Sequence, residues 1–152
     1  MELKRAKLNN LEELTRMNIQ LRIDEKMDNV MTEGEVRKRI GEFLNSGTYE
    51  VILCSHENEI IGYGVMKVQA KPLYLRQLFI KPEFRGKGFG KEFLGKLIEY
   101  YETETIDIEV MVWNDPAIRF YEEFGFKRRY IGMRFAYDKG SMLTVKSEEV
   151  DD

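Results

Sequence analysis

The 152-residue sequence contains one cysteine, Cys54, and one histidine, His56. A single cysteine forms no internal disulfide, and the two residues supply too few ligands for a Cys/His zinc site. They lie two positions apart, which would suit a nucleophile and its base, but they flank the polar stretch 56–59 between two strand-like runs. We therefore interpret them as part of a β-hairpin and expect no bound metal.

Long apolar runs and excess positive charge are also missing. No apolar segment follows the charged residues 1–5, and no later run reaches the roughly 20 residues of a membrane-spanning helix. The formal net charge of -3 provides no general basic surface for nucleic acid. These absences predict a cytoplasmic protein with neither a membrane nor a nucleic-acid partner.

What is present is the composition of one globular domain. The chain is 43% hydrophobic and 34% charged, and its length allows a full core. We assign a single domain to residues 1–140. We assign residues 141–152 to a polar, acidic C-terminal tail, in which we expect residues 147–152 to be disordered.

Apolar periodicity and turn residues predict the element order β α α β β β α β α β β. The helices are expected at about 10–23, 33–44, 89–101 and 115–124, with a capping box formed by Thr32 and Glu35. Strands are expected at 3–8, 49–54, 60–68, 73–80, 106–112, 126–131 and 133–137. Such mixing favours one sheet with helices packed on it.

The stretch R-G-K-G-F-G-K, residues 85–91, joins a predicted strand to a predicted helix. The first N–H groups of a helix have no internal partner and carry partial positive charge, so an anion fits there. Gly86, Gly88 and Gly90 allow φ > 0 and close approach to a ligand, while the Arg and Lys residues add positive charge. The stretch predicts a phosphate or pyrophosphate site. A plain glycine turn whose cations are only solvated would have the same sequence.

Two common phosphate loops do not match these residues. A nucleotide-triphosphate P-loop needs Gly-Lys followed by Ser or Thr, but Glu92 follows Gly90-Lys91. The dinucleotide fingerprint G-x-G-x-x-G could begin at Gly86, but its third glycine would fall on Lys91. We therefore set both nucleotide classes aside.

An acidic cluster, Asp24, Glu25 and Asp28, separates the first two predicted helices. A cleft lined by carboxylates would concentrate a cationic substrate. A solvated linker has the same composition, and the sequence leaves both interpretations open.

Two motifs of the chain are the turn Arg85-x-x-Gly88-x-Gly90 and a second set, formed by the residues Asn114, Ala117, Phe120, Tyr121, Gly125 and Phe126. Together they resemble the two signatures of the GNAT family of N-acetyltransferases, whose loop has the pattern Q/R-x-x-G-x-G/A. The resemblance covers residues 1 to about 137, with the two motifs at the separation that the family has.

The resemblance implies an α/β (α+β) fold with a mixed, mostly antiparallel sheet of six to seven strands and about four helices. Two parallel strands, 73–80 and 106–112, would splay apart to form the acetyl-CoA cleft. By the family pattern, Asn114 and Tyr121 would reach the pantetheine end near the thioester. The other expected cofactor-binding residues are Leu78, Phe79 and Ile80 for the pantetheine arm and Arg85, Gly86, Lys87, Gly88, Phe89, Gly90 and Lys91 for the pyrophosphate.

The implied activity is transfer of the acetyl group of acetyl-CoA to a primary amine by direct attack in a ternary complex. A non-catalytic acyl-CoA-binding regulatory module of the same fold is the alternative. Tyr121 matches the family's general acid, which would protonate the departing thiolate. No acyl-cysteine is expected.

The general base does not follow from the pattern that is common in the family. Many family members carry an acidic residue on the first splayed strand, but Arg76-Gln77 stands there in this chain. The branch that acetylates ribosomal-protein N-termini has Glu five residues before the Asn and twelve before the Tyr, which is matched by Glu109. We predict Glu109 as the base; a strand Glu that faces solvent or pairs with Arg76 is the alternative.

The acceptor is not encoded in a recognisable motif. A small-molecule or peptide amine is expected, and polyamine, drug, free amino acid, peptide N-terminus and protein lysine all remain open. A homodimer is left open as well.

Overall fold

The computed structural model describes residues 1–137, so the predicted tail 141–152 lies outside the described residues. These residues form five strands and four α-helices, with short 3-10 turns at Leu8–Asn10 and Pro82–Phe84. In chain order they are β1 (Glu2–Arg5), α1 (Leu11–Asp24), α2 (Glu33–Asn45), β2 (Tyr49–His56), β3 (Glu59–Lys67), β4 (Leu73–Ile80), α3 (Phe89–Tyr100), β5 (Ile106–Ile108) and α4 (Asp115–Phe124). The mixed α/β class is as predicted.

The strands form one sheet in the order β1-β2-β3-β4-β5, and only the last pair is parallel. That pair is short: Leu73 to Leu75 of β4 face Ile106 to Ile108 of β5, and β4 then continues alone beside β3. Its register with β3 shifts at the same point, which leaves Arg76 as an extra residue in β4. Such a bulge bends a strand. The prediction of two parallel strands that splay apart is confirmed.

The helices cover both faces of the sheet. Side chains of α1 and α2 pack on one face around Leu14, Val36 and Tyr63, and those of α3 pack on the other around Phe93 and Leu97. The predicted apolar stripe of α3 is therefore the buried one, since Phe93, Leu94 and Leu97 are fully buried. The α2 capping box is also present, with Thr32 and Glu35 exchanging hydrogen bonds of 3.1 and 3.2 Å.

The strand count and several strand ends were predicted wrongly. Residues 1–137 contain five strands rather than six to seven, β1 ends at Arg5, and β5 ends at Ile108 instead of 112. Residues 109–112 follow the point where β5 separates from β4, so they have no ladder partner there.

The predicted closing strands at 126–131 and 133–137 do not appear among the described residues. Their apolar side chains alternate but stay in solvent, as at Ile131 (82% exposed), Met133 (93%) and Phe135 (71%). Alternation creates an apolar face, but a strand also requires a neighbour to which its backbone can bond.

Within residues 1–137, none of the helices combines the length and apolar character that a bilayer crossing demands.

Candidate functional site

The gap between the separated ends of β4 and β5 opens into a cavity of about 700 Å³. This volume lies in the range of small-molecule sites, roughly 300–1,000 Å³. Its walls come from the end of α1, the second half of β4, the turn before α3, residues 108–110 and α4. The residues that line it include Glu25, Leu78, Phe79, Ile80, Arg85, Gly86, Gly88, Gly90, Lys91, Glu109, Asn114 and Tyr121. Eleven of the thirteen sequence-predicted site residues therefore meet at one cavity; Lys87 and Phe89 do not line it.

The second half of β4 presents an unpaired backbone edge to this cavity. Leu78 and Phe79 bond to β3 on one side, but the contact with β5 has already ended at Leu75. An open strand edge can pair with the amide groups of an extended ligand. The carbonyl of Ile80 differs, because it accepts a hydrogen bond of 2.8 Å from Nε of Arg85.

The glycines of the turn have two different structural roles. Gly86 and Gly88 have φ of 74° and 85°, a left-handed conformation that favours glycine. Gly90 lies inside α3, and a Cβ there would come within 3.3 Å of the Phe120 ring of α4. The expectation that all three glycines allow φ > 0 is thus met by two of them. The third permits two helices to pack closely.

The cations of the turn are held unequally. Nη2 of Arg85 donates to Oδ2 of Asp24 at 2.6 Å, and the guanidinium lies 5.2 Å from the centre of the Phe79 ring. Lys87 instead lies over the Phe84 ring, at 5.9 Å. Lys91 lines the cavity, and none of the ion pairs found within residues 1–137 involves it. Lys91 is therefore the cation of the turn that both lines the cavity and has no ion-pair partner within residues 1–137.

Phe89, the remaining residue of the turn, belongs to the apolar packing. Its ring centre lies 4.8 Å from that of His56 and 6.1 Å from that of Phe84. Its side chain joins α3 to the β2–β3 hairpin rather than facing the cavity.

Another wall of the cavity is formed by α4, which contributes its N-cap Asn114 and Tyr121. Oδ1 of Asn114 accepts the backbone N–H of Ala117 at 3.4 Å and so caps the helix. The Tyr121 ring packs against Phe120 and Phe126 at 5.1 and 5.3 Å. Burial raises the pKa of Tyr121, and the negative charge of Glu25 raises it further. Its hydroxyl therefore stays protonated at neutral pH and can donate a proton.

Glu109 lies at the solvent-exposed edge of the cavity. Arg76, the partner that we considered for it, bonds elsewhere: its Nη1 donates to the Tyr49 hydroxyl at 2.9 Å, and its guanidinium lies 5.3 Å from the Phe43 ring centre. Glu109 has no hydrogen bond or ion pair with any other side chain in residues 1–137.

The structure separates the three members of the acidic cluster. Asp24 pairs with Arg85, and Asp28 pairs with Arg134 at 3.7 Å on the surface. Glu25 lines the cavity, its side chain half-buried, and burial raises the pKa of its carboxyl. Sequence reasoning considered these residues only as a group. Their spacing contains no signal that distinguishes the one that enters the cleft.

A buried polar network behind β4 was also missed. Nδ2 of Asn18 donates to the Tyr63 hydroxyl and to Oε1 of Gln77, and the Tyr63 hydroxyl donates to the same oxygen, all at 2.9 Å. The network ties α1 to β3 and β4. Gln77, which cannot act as a carboxylate base, is thereby fixed beside the cleft.

Cys54 has a structural position. It is fully buried in β2, and burial raises the pKa of its thiol to about 12, so a reactive thiolate does not form at neutral pH. The hairpin predicted around Cys54 and His56 is confirmed, because β2 and β3 are joined by a two-residue turn at 57–58.

Sequence comparison identifies the relevant family. The model of the acetyltransferase (GNAT) family matches residues 16–126, which is more than half of the chain. The spermine/spermidine N(1)-acetyltransferase of Bacillus subtilis is 36% identical over 91 residues, covering 52% of this chain and 60% of that protein. Across eight such curated relatives, the chain spans only 22% to 60% of the relative's own length.

Solved structures show the same fold at low sequence identity. A tetramutant of protein BH1408 from Bacillus halodurans superposes with a TM-score of 0.74 at 20% identity, covering 90% of this chain and all 100% of that one. An aminoglycoside N-acetyltransferase in complex with CoA superposes with a TM-score of 0.70 at 12% identity, covering 90% and 93%. At these identities the likeness concerns the fold alone.

Proposed function

Since the chain belongs to the acetyltransferase (GNAT) family, we propose that it transfers the acetyl group of acetyl-CoA to a primary amine by direct attack in a ternary complex. One observation carries the proposal: the gap between β4 and β5 joins a glycine turn at a helix start to a buried tyrosine hydroxyl in one cavity of about 700 Å³. An anion-binding end and a proton donor are the two features that such a transfer needs.

The residues of the cavity fit acetyl-CoA in kind. Leu78 and Phe79 offer an open strand edge to the amides of the pantetheine arm. Gly88 and the first turn of α3, with Lys91, offer N–H groups and charge to the pyrophosphate. When bound, acetyl-CoA would supply the acetyl group as a thioester. The CoA complex of a structural neighbour supports this choice of cosubstrate.

Side chains of this protein would then accept and donate the protons of the reaction. A lysine-type amine with a pKa near ~10.4 is protonated at pH 7, and making it neutral costs about 4.6 kcal/mol, so a proton acceptor is required. As the nitrogen bonds to the carbonyl carbon and the carbon–sulfur bond breaks, the Tyr121 hydroxyl gives its proton to the sulfur. Cys54, buried and protonated, takes no part.

We propose a small cationic amine as the acceptor. Glu25, Glu109 and Glu123 line the cavity, and none of these carboxylates forms an ion pair within residues 1–137. Carboxylates in a cleft attract cations. The similarity to a spermine/spermidine acetyltransferase supports the same class of acceptor.

Ligand binding tests the first half of this proposal. Thermal unfolding should be measured with acetyl-CoA, CoA and ATP, because a ligand at 100 times its Kd adds about 2.7 kcal/mol of stability. Acetyl-CoA and CoA should raise Tm and ATP should not. A preference for ATP would contradict the CoA site.

A thiol-release assay tests the second half. Acetyl-CoA should be supplied with spermidine, an aminoglycoside, lysine and a short peptide with a free N-terminus, and we expect the polyamine to give the highest turnover. Binding of acetyl-CoA without release on any amine would favour a regulatory module instead.

A further inference from the structure

We propose that Glu25, rather than Glu109, accepts the proton of the acceptor amine, an assignment that rests on the proposed acetyl transfer. It is the residue directly after α1, and its side chain lines the cavity that also contains Tyr121.

The backbone of Glu25 is anchored to the wall of the cavity that contains the proposed acid. Its carbonyl oxygen accepts a hydrogen bond of 3.1 Å from Nε1 of Trp113. Trp113 immediately precedes Asn114, the cap of α4, and Tyr121 lies two turns further along that helix. A contact between residues 88 positions apart thus holds the end of α1 against the start of α4. It thereby places the end of the element that carries Glu25 next to the start of the helix that carries Tyr121.

The carboxylate of Glu25 is not explained by stability. The C-terminal end of a helix carries partial negative charge, which is unfavourable for an anion. Within residues 1–137 its carboxylate oxygens make no hydrogen bond and no salt bridge. Asp24, one residue earlier, has Arg85 as its partner. Glu25 is therefore the member of the pair that is free to meet a ligand.

The charged surroundings of Glu25 favour a proton acceptor. Burial raises the pKa of its carboxyl most, Arg22 lowers it and Asp24 raises it. From the facing elements, its charge raises the pKa of Tyr63 on β3 and Tyr121 on α4. The other ionisable groups that line the cavity are Asp24, Arg76, Arg85, Lys91, Glu109 and Glu123. The half-buried position of Glu25, which raises its pKa, favours uptake of a proton from a bound ligand.

The proton balance is complete with groups of this chain. An ammonium gives one proton to the Glu25 carboxylate, and the free amine bonds to the acetyl carbon while the carbon–sulfur bond breaks. Tyr121 gives its proton to the sulfur, and the second proton lost by the nitrogen restores the tyrosine hydroxyl. Glu25 then releases its proton to solvent, so one proton leaves per acetyl group transferred.

Kinetics of matched variants test the assignment, with spermidine as the probe amine. At pH 7, Glu25→Gln should lower kcat about 10²- to 10⁴-fold, the usual contribution of a general base. The deficit should shrink as pH rises toward 9.5, because solvent then deprotonates the amine. Glu25→Asp keeps a carboxylate and should therefore be more active than Glu25→Gln, though less active than wild type. Asp28→Asn removes a charge from the same cluster outside the cavity and should behave as wild type.

A structural role for Glu25 would give a different pattern. An equal loss at every pH, or a pH-dependent loss in Glu109→Gln with none in Glu25→Gln, overturns the assignment while leaving the acetyl transfer intact. Absence of turnover by the wild type on every amine of the panel contradicts the transfer itself, and the assignment fails with it.

A direct titration provides a readout apart from activity. The carboxyl ¹³C resonance that disappears in Glu25→Gln should report a pKa above the ordinary value of a glutamate carboxyl in the wild type without ligands. A midpoint at or below that value would contradict a proton acceptor at this position.

Discussion

The environment of single side chains determines which groups of the cleft can exchange protons. Tyr121 is buried between Phe120 and Phe126, which raises its pKa and keeps its hydroxyl protonated. Glu25 and Glu109 both line the cavity, but Glu25 is partly buried, which raises its pKa, whereas Glu109 is exposed. The degree of burial therefore distinguishes two residues of the same type.

The first prediction concerns the hydroxyl of Tyr121. Tyr121→Phe should lower kcat about 10²- to 10⁴-fold, because the departing sulfur loses its proton donor, while the KM for acetyl-CoA stays nearly the same. Steady-state kinetics at saturating amine measure both. Tyr100→Phe removes an exposed hydroxyl from α3 and is the matched control. An unchanged kcat in Tyr121→Phe would remove this residue from the acid role.

The second prediction concerns stability and the ionisation of Glu25. Because the folded-state pKa is raised, folding is opposed by ionisation above that pKa, and the penalty disappears once pH falls below the unfolded value. Glu25→Gln should therefore be more stable than wild type at pH 7, with the two converging near pH 4. Urea unfolding at both pH values measures the difference. A variant that is less stable at pH 7 would indicate that the carboxylate stabilises the fold.

At the scale of elements, the turn between β4 and α3 could be predicted nearly to the residue. Strand 73–80 and a helix start at Phe89 follow from apolar spacing and from the glycines, and the structure has both. What local sequence does not contain is the packing between distant elements. The closeness of Gly90 to Phe120 and the contact of Trp113 with Glu25 both depend on how α4 is positioned.

The predicted closing strands also show that local sequence does not determine which elements pair. Residues 131–137 have the alternation of a strand, yet within residues 1–137 their backbone has no partner strand. Local pattern decides which face is apolar, whereas pairing depends on the rest of the sheet. The candidate site follows this division: the turn and the α4 signature were predictable from local motifs, but Glu25 and the Asn18 network were not.

The third prediction separates the glycines by role. Gly88→Ala forces a side chain into φ of 85° and should cost about 1–2 kcal/mol of stability, and it should also weaken binding of acetyl-CoA at the helix start. Gly95→Ala, inside the same helix with open space around it, should instead add roughly 0.5–1 kcal/mol and leave binding unchanged. Thermal unfolding and calorimetric titration measure the two effects. Equal behaviour of the two variants would contradict a special conformation at Gly88.

At the scale of the whole molecule, one sheet carries two apolar layers. Leu14 of α1 and Leu97 of α3 are both fully buried, but they lie in different clusters on opposite faces. Strands β2, β3 and β4 contribute side chains to both clusters, so neither layer is complete without the same backbone. This shared sheet supports the proposal that residues 1–140 form a single domain.

The fourth prediction follows from that shared sheet. Leu14→Ala and Leu97→Ala should each cost about 2–5 kcal/mol, the usual loss for a buried leucine, and both should shift one common unfolding transition. Fluorescence of Trp113 and far-UV circular dichroism, followed in urea, should give coincident curves for each variant. Saturating acetyl-CoA should raise the midpoint of both variants, because the cleft uses β4 and helices from the two faces. Two separate transitions, with only one layer lost in each variant, would mean that the faces fold independently and that the cleft joins two units.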